Sequence, residues 1–145
     1  MRFFETSKLY SLNRFEYINL RWIAIFGQLV TINIVKYIFE FNFDYLFANI
    51  IVILGSVSNL FLIYNYKKNL LTDRTSFVFL CIDISQLSML LYLTGGIINP
   101  FSIFIIIPTI FSSIYLSKKT SILLGFLTII TIVFLTFFSK ELPHP

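Results

Sequence analysis

Long apolar runs, separated by short polar connections, dominate the pattern along this chain. A membrane-spanning helix needs roughly 20 mostly apolar residues, with about 17 to 25 usual. Five runs approach or meet that length: Trp22–Phe39, Tyr45–Asn65, Thr75–Thr94, Phe101–Leu116 and Ser121–Phe138. The pattern predicts an all-α integral membrane protein, a bundle of five transmembrane helices. Lys36 lies one turn from the end of the first run, where a long side chain snorkels to the interface. The fourth run is short and contains Pro108, which predicts a thin, tilted or kinked span. The first run does not read as a cleavable signal peptide. The polar and aromatic stretch Met1–Arg21 precedes it, and no small-residue cleavage site follows it.

Composition agrees with a membrane setting. The chain has 145 residues, 57% hydrophobic and 12% charged, with a mean hydropathy of +0.86. A soluble domain of this size must face water over much of its surface and cannot hide so much apolar area. Eighteen Phe and eight Tyr exceed what one small core takes up. The net charge of +4 does not point to nucleic acid, because the bases are scattered between apolar runs, where they report orientation. Arg2, Lys8, Arg14 and Arg21 precede the first span. Lys67, Lys68 and Arg74 lie in the second connection, and Lys118 and Lys119 in the fourth. The first connection, Glu40–Asp44, carries acids only, and the third carries no charge. By the positive-inside rule the N-terminus is cytoplasmic and the connection Gly95–Phe101 faces outward. Three regions follow: residues 1–21, a cytoplasmic basic arm or a helix lying in the interface; residues 22–138, the spans; and residues 139–145, an outer-side tail.

Little in the chain suggests enzyme chemistry. No glycine-rich phosphate loop, histidine pair or Ser/His/Asp set is present. The sole histidine, His144, sits near the terminus. The one cysteine, Cys81, excludes an internal disulfide and falls in an apolar run. Asp83 is different. It lies near the middle of the third span, where a charged Asp costs roughly 2.5 to 3.5 kcal/mol on insertion scales. That cost calls for a partner or a water-filled cavity. Gln86, Leu90 and Thr94 continue its helical face. Two readings remain open: an interhelical hydrogen bond to Gln28, Asn33 or Asn59, or part of a ligand pocket or proton-sensitive switch.

The second candidate is Gly95-Gly-Ile-Ile-Asn-Pro-Phe101. Paired glycines permit positive φ and leave backbone N–H groups unobstructed. Asn99 followed by Pro100 reads as an N-cap and first helical residue of the fourth span. A tight turn before a capped helix explains the segment fully. Alternatively, free N–H groups with Phe101 and Tyr92 form an aromatic cleft that suits a flat lipophilic molecule with carbonyl acceptors, such as a quinone head group.

These residues also carry a resemblance. Leu20-Arg-Trp-Ile-Ala-Ile-Phe-Gly-Gln28 and Asp83-Ile-Ser-Gln86, leading to Leu90-Leu-Tyr-Leu-Thr-Gly-Gly-Ile-Ile-Asn-Pro-Phe101, resemble the membrane region of RegB/PrrB/ActS-type redox-sensing histidine kinases. The match runs in order from about Leu20 to the end of the chain. The resemblance implies ubiquinone as the sensed ligand, with Gly95, Gly96, Asn99, Pro100 and Phe101 as the quinone-binding turn. Asp83, Gln86, Trp22 and Gln28 are its supporting residues. It also implies a homodimer, and in full-length members a sixth membrane helix, a cytoplasmic ATP-dependent kinase core and a response regulator. The kinase core lies outside this chain, and whether the chain is a fragment, a truncated gene product or one piece of a split gene is left open. The rival readings are a small transporter or channel subunit using Asp83, and a structural membrane subunit.

Overall fold

The computed structural model describes residues 12–67 and 70–144. The arm residues Arg2, Phe3, Phe4, Lys8, Leu9 and Tyr10, and also Lys68, lie outside them. Helix α1 spans Arg14–Tyr37, α2 Tyr45–Asn65, α3 Asp73–Leu93, α4 Ile107–Tyr115 and α5 Lys118–Phe137. Four of these, α1, α2, α3 and α5, have the length and apolarity to cross a membrane. A shorter apolar helical stretch, Pro100–Tyr115, is the fifth.

Local chemistry sets most of the helix starts. Asn13 accepts from the Glu16 N–H, Thr72 from Thr75 and Ser117 from Thr120, each satisfying an orphan donor of a first turn. Helix α1 therefore begins eight residues before the expected Trp22. Residues 14–21, assigned by pattern to the arm, continue the helix. The cause is Arg21, whose charge lowers the hydropathy at the point where the helix is already packed.

The fourth element starts differently. Asn99 caps it, Pro100 follows at the first helical position, and Pro100–Ile106 is a 3-10 helix. Pro108 has no N–H to give to the Phe104 carbonyl, and the Ile107 N–H takes that carbonyl instead. A 3-10 helix rises about 2.0 Å per residue against 1.5 Å for an α-helix. The stretch Pro100–Tyr115 therefore reaches about 27 Å, close to the roughly 30 Å hydrocarbon core, where a plain α-helix would reach about 24 Å. The expected irregularity at Pro108 thus stretches a short span.

The packing suits lipid. Large apolar side chains such as Phe26, Phe61, Phe126 and Phe137 face outward, whereas Ser76, Ser112, Thr120 and Thr128 are buried. Small and hydroxylated residues at helix contacts let backbones approach and bond across the interface. Thr109 and Thr128 share a hydrogen bond of 2.7 Å between α4 and α5. A two-residue antiparallel ladder, Leu12–Asn13 (β1) with Leu70–Leu71 (β2), joins the start of α1 to the α2–α3 connection. Asp73 accepts from the Ser117 N–H and from the Ser117 and Thr120 hydroxyls, joining α3 to α5 at the same end.

The opposite end gathers Glu40–Asp44, Gly95–Phe101 and the tail. The tail does not project freely: the Lys140 N–H donates to the Tyr92 carbonyl, and the Asn42 N–H to that of His144. Lys140 also forms an ion pair with Asp44. The basic connections Lys67–Arg74 and Lys118–Lys119 thus share one end of the bundle, and the acidic connection Glu40–Asp44 the other.

Candidate functional site

The polar centre of the bundle is built by α1, α2 and α3. On α1, Tyr17 and Arg21 are one turn apart and project together towards α3. Arg21 is 5% exposed and Asp83 21%. The guanidinium donates to Asp83 Oδ1 through Nε at 3.0 Å and pairs with the same oxygen through Nη2 at 2.9 Å. Tyr17 donates its hydroxyl proton to Asp83 Oδ2 at 2.5 Å. On α2, Ser58 Oγ accepts from Arg21 Nη2 at 2.6 Å and Asn59 Oδ1 from Nη1 at 3.4 Å. Asn59 in turn donates to the Ile18 carbonyl. The Arg21 guanidinium also lies over the rings of Tyr17 and Phe79 at 5.5 and 5.4 Å. One cation, one carboxylate and their donors thus form a closed network at mid-bundle.

Two of the expectations change here. The partners of Asp83 are Arg21 and Tyr17; Gln28, Asn33 and Asn59 do not bond it directly. Asn33 pairs instead with Asn49, and Gln28 accepts from Gln86 Nε2 at 2.9 Å. Arg21, which patterning counted with the loop bases, is the counter-ion. The helical spacing of Tyr17, Arg21 and Gln28 was the available signal. Trp22 packs against both apolar core clusters, inside the bundle at the level of the ion pair.

The Gly95–Phe101 turn has the positive φ angles that its paired glycines permit. Gly95 has φ 103° and Gly96 φ 60°. Both glycines also meet the tail: a Cβ on Gly96 would lie 2.6 Å from Ser139 Oγ and 2.8 Å from the Leu135 carbonyl, and one on Gly95 2.8 Å from Leu142. Several expected free donors are engaged. The N–H groups of Ile98, Asn99 and Ser102 close the turn. Asn99 Oδ1 accepts from the Phe101 N–H, while its Nδ2 donates to the carbonyl and hydroxyl of Thr94. Phe101, 49% exposed, stacks on Phe104. Tyr92 instead stacks on Phe134, and the two rings line an apolar cleft of about 330 Å³ with Phe47, Ile51 and Met89. A second cleft of about 420 Å³ shares Ile51 and Met89 and runs past Gly55, Cys81, Ser85 and Gln86. The two clefts adjoin at Ile51 and Met89 and make up a groove along α2 and α3, with Leu93, just before the turn, lining the first. No group of three or more His, Cys, Asp or Glu capable of holding a metal occurs among the described residues.

A helical bundle with an apolar exterior and a buried ionic centre defines a multi-pass membrane domain. The family model for PilS-like transmembrane domains matches residues 11–144, and the chain belongs to that family. It is also 31% identical over 124 residues to the sensor histidine kinase RegB of Cereibacter sphaeroides. That match covers 85% of this chain and 27% of the kinase, so the chain spans about a quarter of its relative's length. It corresponds to a RegB-type membrane region. No solved structure matches the chain.

Proposed function

We propose that this chain is the membrane sensor module of a two-component histidine kinase, and that it reads the redox state of the ubiquinone pool for a cytoplasmic kinase core and a response regulator. The carrying observation is the match to a sensor histidine kinase across 85% of the chain. Ubiquinone enters at the Gly95–Phe101 end. Gly95, Gly96, Asn99, Pro100 and Phe101 shape a rigid mouth, and the Tyr92–Phe134 cleft beside it accepts a flat ring. Dimer formation, an inner-membrane location and a cytoplasmic N-terminus belong to this reading. The clustering of the basic connections at one end of the bundle supports that orientation.

A ligand transmits information only if it binds two packings of the bundle with different affinity. Tyr92 links the cleft to the tail through its carbonyl bond with Lys140, so ring movement there is felt at the end of α5. The transporter or channel reading is weaker, because both Asp83 oxygens are already engaged by Arg21 and Tyr17. The test is a titration of the purified protein in nanodiscs with a short-chain ubiquinone, followed by quenching of Trp22, the only tryptophan. Saturable quenching that a non-quenching, redox-inactive ring analogue relieves by competition is expected. Quenching linear in quinone and insensitive to competitor would reduce the effect to partitioning into lipid and overturn the proposal.

A further inference from the structure

The groove along α2 and α3 contains a polar floor that an apolar surface in lipid does not need. Its depth comes from Gly55: a Cβ there would lie 2.6 Å from Gln86 Nε2 and 2.9 Å from Gln86 Oε1, so only glycine lets the Gln86 amide lie against α2. That amide donates one hydrogen bond, to Gln28, and its Oε1 accepts none among the described residues. The adjacent residue, Ser85, lines the same cleft. Of the serines on these helices, Ser56, Ser58 and Ser88 turn their hydroxyls back onto backbone carbonyls, while Ser76 is buried without a partner among the described residues. Ser85 makes no such bond among the described residues. An amide oxygen and a hydroxyl left without partners towards hydrocarbon are costly. Something polar belongs there.

We propose that Ser85 and Gln86 form the head-group station of the groove, holding a lipophilic ring that bears carbonyl or hydroxyl oxygens. The proposal rests on the ubiquinone reading and deepens it by naming where the oxygens are met. A hydroxyl can donate to a quinone carbonyl, while Gln86 Oε1 can accept from the hydroxyl of a reduced ring. The pair therefore presents both a donor and an acceptor, and the two redox forms of one ring use them differently. Ser85 lies seven residues before Tyr92 on α3, about 10 Å along the helix. The aromatic cleft and the station are thus adjacent parts of one groove, joined at Ile51 and Met89. Gln86 also connects the station to α1 through Gln28, two turns above Arg21.

The test uses the full chain in nanodiscs with an azido-labelled short-chain ubiquinone, crosslinked and mapped by peptide mass spectrometry. Crosslinks within Phe77–Met89 are expected. Ser85→Ala and Gln86→Leu should each weaken ubiquinone affinity roughly two- to tenfold, the worth of one neutral hydrogen bond. Thr109→Val removes the hydrogen bond to Thr128 between α4 and α5, outside the groove; it controls for packing and should leave affinity within about twofold of the wild type. Ser85 is exposed in the bundle, so its alanine variant keeps the question answerable even if Gln86→Leu misfolds. Saturable binding with crosslinks only at Gly95–Phe101, and unchanged affinity in Ser85→Ala, would overturn the station and leave ubiquinone sensing standing. Absence of saturable binding would overturn both. A phospholipid that stays in the groove at every quinone concentration would assign it to an acyl chain and also overturn the station.

Discussion

Neutralising Asp83 tests whether the ion pair organises the bundle. At 2.9 Å and an effective dielectric constant of about 20, the attraction between Arg21 and Asp83 is about 6 kcal/mol. The loss of water around both ions offsets much of that attraction. Removing one partner has a different consequence, because it leaves the other ion buried alone and typically costs about 3–5 kcal/mol. Asp83→Leu and Arg21→Met should therefore each destabilise by about that amount. Asp83→Asn should do little better, since it keeps an acceptor for Tyr17 but leaves Arg21 without a counter-ion. The double variant Arg21→Met/Asp83→Leu removes both charges and should return to within about 1 kcal/mol of the wild type, because an apolar pair of similar volume is often neutral or better. The assay is helix loss by circular dichroism during titration of mixed micelles with a denaturing detergent, read as a double-mutant cycle. A coupling of at least about 3 kcal/mol is expected. Strictly additive losses, with the double variant worse than either single, would refute the reasoning.

Further outcomes follow from individual contacts. Gly96→Ala forces a left-handed residue, at about 1–2 kcal/mol, and drives its Cβ onto the Leu135 carbonyl; a melt in detergent should show at least that loss. Asn99→Ala should cost about 1 kcal/mol through the lost cap; Asn99→Asp should recover the cap, because a carboxylate still accepts from the Phe101 N–H, but not the donation to the Thr94 carbonyl. Asp73→Ala removes three hydrogen bonds that join α3 to α5 and should raise hydrogen exchange at the first turn of α5 before it alters the rest. Reporter fusions after Lys68 and Lys119 should read cytoplasm, and those after Asp44 and Ile98 the outside; a cytoplasmic signal at Ile98 would reverse the orientation.

The span of α2 was readable to the residue, since Asp44 and Tyr66-Lys67 bound a predominantly apolar run without charge. The start of α1 was not. Arg14 and Arg21 lower a hydropathy average, yet with Tyr17, Ile18 and Ile25 they recur on one helical face, which an average cannot detect. Asp83 announced its need for a partner through its depth, but the choice of Arg21 over Gln28 or Asn59 is a matter of helix register and emerges only on packing. The Asn99-Pro100 cap was legible because capping is local chemistry. The return of the tail over Gly95 and Gly96 was not, because those glycines serve contacts with residues some forty positions away. Ser85 carried no signal in sequence: its significance is a hydroxyl that lines the groove without a bond among the described residues, which emerges only on packing.

The sensor role itself is tested most directly by grafting. The chain, joined at its matched boundaries to the kinase part of its RegB relative, should be placed in vesicles poised with oxidised or fully reduced ubiquinone, and autophosphorylation measured. A several-fold difference in phosphorylation rate between the two redox states is predicted, abolished by Ser85→Ala/Gln86→Leu and retained in Thr109→Val. An active chimera whose rate is the same in oxidised ubiquinone, reduced ubiquinone and quinone-free vesicles would contradict it.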